Sequence, residues 1–173
     1  MTAPELSRMI RTRPLPAAPV VIEADEVERA ALAERFGVTA IERLTARVAL
    51  TDKGPAIHAT GNVEADLVQP CSVSGEDFRH TVTDRIAVRF VPAGALPDDA
   101  EVDLEIRSDE PDDIEYEGES FDLGEAVAQS LGLAIDPYAE GPDAERVRQE
   151  AGITGDDAPS GPLADALRAL SKD

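Results

Sequence analysis

The chain has 173 residues, of which 42% are hydrophobic, and its formal net charge is −20 at pH 7. A charge this negative repels phosphate backbones, so it disfavours direct nucleic-acid binding by the whole surface and favours either a basic protein partner or a purely solubilising role. The single cysteine excludes an intramolecular disulfide, and no stretch reaches the ~18 apolar residues of a membrane span. We therefore expect a cytoplasmic protein that is a monomer or weak oligomer.

The N-terminal quarter predicts an arm, a strand and a helix. Residues 1–17 should form an extended arm, because their prolines disfavour helix. Residues 18–23 are rich in β-branched side chains, which favours a short strand. Asp25 and Glu28 have the spacing of a capping box, so we expect a helix that begins after Asp25 and ends before Gly37.

The middle of the chain predicts a series of strands. Apolar and polar residues alternate in the runs 40–51, 57–67 and 81–90, as expected of strands with one buried face. The second and third runs should form a central hairpin around Cys71, with Asp84 as the one polar residue on the apolar side. Residues 102–106 alternate in the same way, and residues 114–116 predict a short edge strand.

The C-terminal part predicts helices and a polar tail. Asp122 should cap a second helix, with Glu125 at the capping-box spacing and Gly132 as its end. A short helix is expected over residues 145–150. The spacing of three leucines indicates a last amphipathic turn or two in the tail: Leu163, Leu167 and Leu170.

These elements together predict an α+β fold. The domain, residues 18–138, would be an antiparallel meander of about five strands, open or curled towards a barrel, covered by two helices. An acidic loop interrupts it. The arm (residues 1–17) and the polar tail (residues 139–173) would flank it as flexible segments.

One stretch carries most of the negative charge and is the candidate surface for a basic partner. It holds twelve carboxylates and a single arginine, Arg107. Charge runs are commonly solvated loops, so a purely solubilising role is the alternative. The carboxylates are Asp98, Asp99, Glu101, Asp103, Glu105, Asp109, Glu110, Asp112, Asp113, Glu115, Glu117 and Glu119.

Four arginines occupy the alternating polar positions of their predicted strands and could share the outer face of the sheet: Arg43, Arg47, Arg85 and Arg89. They are the candidate for a phosphate-binding strip. The alternative is cross-strand ion pairing, which contributes about 0.2–1 kcal/mol for each pair. The expected partners are Glu64, Asp66, Asp103 and Glu105.

Sequence motifs of catalysis are missing. There is no GxGxxG, GxxxxGK[ST], GxSxG or HExxH. Cys71 and His80 could form a nucleophile and base, but a small buried packing cysteine is favoured. Ser74 stands where a Cys-x-x-Cys pair would need a second cysteine, so we expect no metal and no cofactor. Abundant carboxylates leave a hydrolase as an alternative, and a hard-cation site in the acidic stretch is disfavoured because the calcium-loop register is absent.

The order and spacing of several short motifs resemble the YceD family, the bacterial large ribosomal RNA subunit accumulation proteins. The resemblance covers roughly residues 18–138, and the segments 22–25 and 33–37 are similar to an alphaproteobacterial branch. The motifs are Gly61-x-Val63-x-Ala65, Gln69-Pro70-Cys71, Val88-Arg89-Phe90, Phe121-Asp122-Leu123-Gly124-Glu125 and Leu131-x-Leu133-x-Ile135-Asp136-Pro137.

The resemblance implies a role in 23S rRNA accumulation or processing, and so in biogenesis of the large ribosomal subunit. It implies no catalytic residues. Many members carry Cys-x-x-Cys at the central hairpin and further cysteines after the second helix, whereas this chain keeps only Cys71. We therefore expect a non-enzymatic accessory factor that binds a basic protein, such as a ribosomal protein or an rRNA-processing factor, with direct RNA binding weak or absent. The alternatives are a carboxylate- or cysteine-dependent hydrolase and an acidic adaptor unrelated to ribosomes.

Overall fold

A computed structural model describes residues 4–94 and 111–152. These residues form a five-stranded sheet, a two-stranded sheet and three helices. The strands are β1 (Met9–Arg11), β2 (Val20–Glu23), β3 (Ala40–Asp52), β4 (Ile57–Pro70), β5 (Asp77–Pro92), β6 (Asp112–Tyr116) and β7 (Ser120–Asp122). The helices are α1 (Glu26–Phe36), α2 (Leu123–Ala134) and α3 (Ala144–Ala151).

The large sheet has the order β2-β3-β4-β5-β6, and it is open. Its first four strands are antiparallel neighbours, which confirms the meander and its central hairpin, β4–β5. The prediction of an all-antiparallel sheet is wrong at one edge, because β6 runs parallel to β5. The long connection between these two strands allows this, since a parallel neighbour needs a crossover of about a dozen residues or more. The predicted strand over residues 102–106 falls in that connection and lies outside the described residues.

Helix α1 begins and ends as the sequence predicted. The Asp25 carboxylate accepts a hydrogen bond from the Glu28 backbone N–H, and the Glu28 carboxylate accepts one from the Asp25 N–H, which completes the capping box. Gly37 ends the helix with φ of 68°, a left-handed conformation that glycine adopts without a Cβ clash.

Helix α2 differs from its prediction at both ends. Asp122 caps it by accepting hydrogen bonds from Gly124 and Glu125 N–H, but the Glu125 side chain bonds to Arg35 instead of closing a capping box. The prediction that Gly132 ends the helix is wrong, since the helix continues to Ala134. Gly132 has a packing role: a Cβ there would lie 2.9 Å from the Phe36 ring.

The core lies between the inner face of the large sheet and the helices α1 and α2. The predicted alternation is confirmed, because most inward positions of β3, β4 and β5 are buried. Asp84, the one polar residue predicted on that side of β5, is exposed. The core is mainly aliphatic, with Phe90 and Phe121 stacked at a centroid distance of 4.1 Å.

The N-terminal arm packs onto the domain in its described part. Leu6 is fully buried, and β1 pairs with β7. The Ser7 hydroxyl and the Arg8 backbone N–H both donate to the Asp122 carboxylate at 2.6 and 2.8 Å. Asp122 therefore fixes the arm and caps α2 at the same time.

The described part of the tail also has structure. The helix predicted over residues 145–150 is confirmed as α3, and its first residue, Ala144, is buried. The Ser72 N–H donates to the Ala139 carbonyl at 3.1 Å, so the segment before α3 lies against the turn between β4 and β5. The leucines at 163, 167 and 170 lie outside the described residues.

Candidate functional site

The outer face of the large sheet carries the four predicted arginines. The strand register places Arg47, Asn62 and Arg85 in one cross-strand row. Arg43 lies beyond one side of this row, next to Asp66, and Arg89 lies beyond the other, next to His58. The four side chains therefore share one face, but the structure gives them different surroundings.

Two of the four arginines are held by carboxylates, one at each end of the face. Arg43 donates to Asp66 at 2.8 Å and also contacts Glu64, as the ion-pairing alternative anticipated. Asp66 and then Glu64 raise the pKa of Arg43, and the hydrogen bond from Arg43 lowers the pKa of Asp66. Arg89 donates to both carboxylate oxygens of Asp113 at 2.6 and 2.8 Å. Asp113 belongs to the acidic stretch that the sequence predicted as a surface for a basic partner.

The other two arginines, Arg47 and Arg85, are exposed and make no ion pair with any residue in the described ranges. Asn62, which lies between them, is also exposed. The neighbouring positions on the same face of β3, β4 and β5 are Thr45, Ala49, Thr60, Glu64, Thr83 and Ala87. On β2, the exposed Val21 pairs with Arg47.

The described part of the acidic stretch forms the edge strand β6 and the turn into β7. Asp112, Glu115, Glu117 and Glu119 are exposed and make no ion pair within the described part of the chain. Asp113 is the exception, because Arg89 neutralises it. The remaining predicted partner residues lie outside the described residues: Asp98, Asp99, Glu101, Asp103, Glu105, Asp109 and Glu110.

Cys71 begins the turn between β4 and β5 and is 4% exposed. Its Sγ accepts hydrogen bonds from the backbone N–H groups of Val73 and Ser74, both at 3.4 Å. Hydrogen bonds from Ser74, first from its hydroxyl and then from its backbone, lower the pKa of the Cys71 thiol to about 7. The sequence indicated burial, but it did not indicate this stabilised thiolate, which depends on the turn geometry.

His80 does not contact Cys71 as a base would. Its Nε2 lies 3.0 Å from Oε1 of Gln69, and its ring stacks on Phe78. Gln69 is 3% exposed and also donates from Nε2 to the Asp136 carbonyl at 2.9 Å. Gln69 therefore links the end of β4 to the segment after α2, a role that no sequence pattern indicated beyond its place in the Gln-Pro-Cys motif.

The cavity next to Cys71 has a volume of about 50 Å³ and is lined by residues that include Ser74, Glu76 and Asp143. Within residues 4–94 and 111–152, no group of three or more His, Cys, Asp or Glu side chains is placed to hold a metal ion. In the same ranges, no helix combines the length and the apolar character needed to cross a membrane.

One protein-family model matches residues 59–169, under the description "large ribosomal RNA subunit accumulation protein YceD". No curated protein and no solved structure matches the chain. The matched region begins within β4 and contains the Gln69-Pro70-Cys71 motif and the Phe121–Glu125 segment on which the resemblance rested. It spans more than half of the 173 residues. The family resemblance is thus confirmed, and the chain belongs to the YceD family of large ribosomal RNA subunit accumulation proteins.

Proposed function

We propose that this protein is a non-enzymatic accessory factor for the accumulation or processing of 23S rRNA, and so for biogenesis of the large ribosomal subunit, in the cytoplasm. Family membership is the observation that carries this proposal, because the family description names the accumulation of large-subunit rRNA. It also disfavours the alternative of an acidic adaptor without a ribosomal role.

The hydrolase alternative finds less support around Cys71. His80 is bound to Gln69 instead of to the thiol. The adjoining cavity of about 50 Å³ is far smaller than the ~300–1,000 Å³ of typical small-molecule sites. Both observations favour a structural role for Cys71 in the turn.

The proposed mode of action is binding of a basic protein, such as a ribosomal protein or an rRNA-processing factor, at the acidic edge. We define the acidic edge by its four exposed carboxylates: Asp112, Glu115, Glu117 and Glu119. Like charges on neighbouring positions repel one another, and a cationic ligand relieves this repulsion. The chain itself supplies no counter-charge to these four among its described residues, whereas it does so for Asp113. Basic extensions of ribosomal proteins have the complementary chemistry.

The test replaces the four carboxylates of the acidic edge by their amides, in the full-length protein expressed in its own cells. We expect the variant to fold normally, to lose co-purifying basic proteins and to lower the ratio of large to small ribosomal subunits in sucrose gradients. The wild-type interaction should weaken as salt rises, because the screening length falls from ~8 Å at physiological ionic strength to ~3 Å at 1 M.

The matched control changes the same number of exposed carboxylates of the same types elsewhere: Glu26, Glu34, Glu76 and Asp84. This control removes equal charge and should leave the subunit profile unchanged. A normal profile of ribosomal subunits from the acidic-edge variant would mean that the acidic edge only aids solubility. Unchanged 23S rRNA in cells that lack the protein would overturn the proposed function itself.

A further inference from the structure

We propose that the open outer face of the large sheet binds the phosphate backbone of single-stranded RNA through Arg47 and Arg85, with Asn62 between them contacting the ribose. We call these three residues the arginine row. The proposed role in rRNA accumulation identifies the RNA as ribosomal, but the physical argument for an RNA backbone rests on the arginine row alone.

The geometry of the arginine row suits an extended polyanion. Both arginines pair with Asn62 in the register of β3, β4 and β5, so their Cα atoms lie two strand spacings apart, roughly 9–10 Å. The helices α1 and α2 pack on the opposite face of the sheet, and the three side chains of the arginine row are exposed. A strand of RNA can therefore lie across the sheet without displacing any described element.

The charge distribution on this face separates the arginine row from the other arginines. Two carboxylates lie diagonally next to the row, Glu64 on β4 and Glu23 on β2. Arg43 engages Glu64 and also Asp66, while Glu23 makes no ion pair with Arg47. Asp113, at the other end of the face, is engaged by Arg89. Arg47 and Arg85 are therefore the arginines of this face that the described residues leave without an ion pair, on a protein whose net charge is −20. Guanidinium groups suit this task, because their forked donors match phosphate oxygens.

The side chains around the arginine row indicate which part of RNA is recognised. The described residues of this face include no Phe, Tyr or Trp, and His58 lies next to Arg89 instead of in the arginine row, so the row has no platform for base stacking among them. Asn62 and the flanking threonines offer amide and hydroxyl groups that can hydrogen-bond a ribose 2′-hydroxyl, the group that distinguishes RNA from DNA. Binding should therefore be weak, independent of base sequence and stronger for RNA than for DNA.

The experiment measures binding of the full chain to an unstructured RNA of about 20 nucleotides by fluorescence anisotropy, over a series of salt concentrations. Two phosphate contacts on a single strand predict a slope of about −1.4 for log K against log salt. Between 50 and 200 mM salt this slope corresponds to about a sevenfold loss of affinity. We expect R47Q/R85Q to abolish binding or to bring the slope near zero, and N62A to reduce the preference for RNA over DNA of the same sequence.

The matched control is R11Q/R13Q, which makes the same change in net charge at two exposed arginines of the N-terminal arm. This control should bind RNA as the wild type does. Equal losses in both double variants would assign binding to overall charge and overturn the proposal, as would the absence of wild-type binding at low salt. Equal binding to anionic lipid vesicles would also overturn it. None of these results bears on the acidic-edge test, so the two proposals fail independently.

Discussion

Cys71 shows how one side chain can satisfy a packing role and still be chemically unusual. It is buried, which agrees with its predicted role, but its Sγ also accepts backbone hydrogen bonds in the turn. The hydrogen bond from the Ser74 hydroxyl, followed by the one from its backbone N–H, favours the thiolate and lowers the pKa of Cys71 from an ordinary value of 9.0 to about 7. Because the pKa of Cys71 is lower in the folded state, the ionised thiol stabilises the fold. This stabilisation is complete above pH 9 and is lost as the pH falls through about 7.

We therefore expect Cys71→Ala to lower the free energy of unfolding by about 1 kcal/mol, and to lower it more at pH 9 than at pH 6. Urea denaturation of both proteins at each pH measures the difference. Cellular 23S rRNA accumulation should be intact in the variant. A loss of accumulation with an unchanged melting temperature would instead give the Cys71 thiol a functional role.

Among the elements, the N-terminal arm departs most from the sequence-based expectation. The sequence predicted an extended segment outside the domain, whereas the described part of the arm inserts Leu6 into the core and pairs β1 with β7. Arg8 reinforces this attachment by bonding Glu28, and this bond lowers the pKa of the Glu28 carboxyl. A Cβ at Gly124 would lie 2.7 Å from the Arg8 backbone nitrogen, so α2 has a glycine where the arm crosses it.

Leu6→Ala should destabilise the whole domain by about 2–5 kcal/mol, since it removes a fully buried side chain and leaves a cavity. Met9→Ala is the control on the same arm, because Met9 is 60% exposed and its truncation should stay within about 0.5 kcal/mol. Chemical denaturation of both variants gives the two values. If Leu6→Ala were as mild as Met9→Ala, the arm would not be part of the cooperative fold.

For the whole molecule, the dominant property is the net charge of −20. Self-repulsion of this size destabilises the compact state, and salt screens it as the Debye length falls from ~30 Å at 0.01 M to ~10 Å at 0.1 M. Several ion pairs of the described residues join two exposed side chains, and such pairs contribute little, so their weakening in salt should be the smaller effect.

The melting temperature should therefore rise between low and moderate salt, as measured by circular dichroism during heating. Sodium chloride serves better than sulfate, because sulfate also strengthens apolar burial and would confuse the comparison. A melting temperature that falls with added sodium chloride would mean that the ion pairs outweigh the repulsion.

Short-range sequence patterns were enough to predict the elements whose structure depends on neighbouring residues. The capping box at Asp25 and the left-handed cap at Gly37 depend on residues within one or two turns, and both were predicted from spacing alone. Alternation in β3, β4 and β5 predicted the buried face, because a period of two assigns each side chain to one side of a sheet. The order of short motifs predicted the family.

Only the tertiary structure decided the features that join distant parts of the chain. Parallel pairing of β6 and insertion of Leu6 both depend on contacts between segments far apart in sequence, which leave no local periodicity. The same holds for the four arginines. The alternation of polar and apolar residues placed all of them on one face of the sheet. The strand register and the position of Asp113 decided that Arg43 and Arg89 are neutralised while Arg47 and Arg85 stay exposed. Charge pairing is set by distances across strands, and these distances exist only once the sheet has formed.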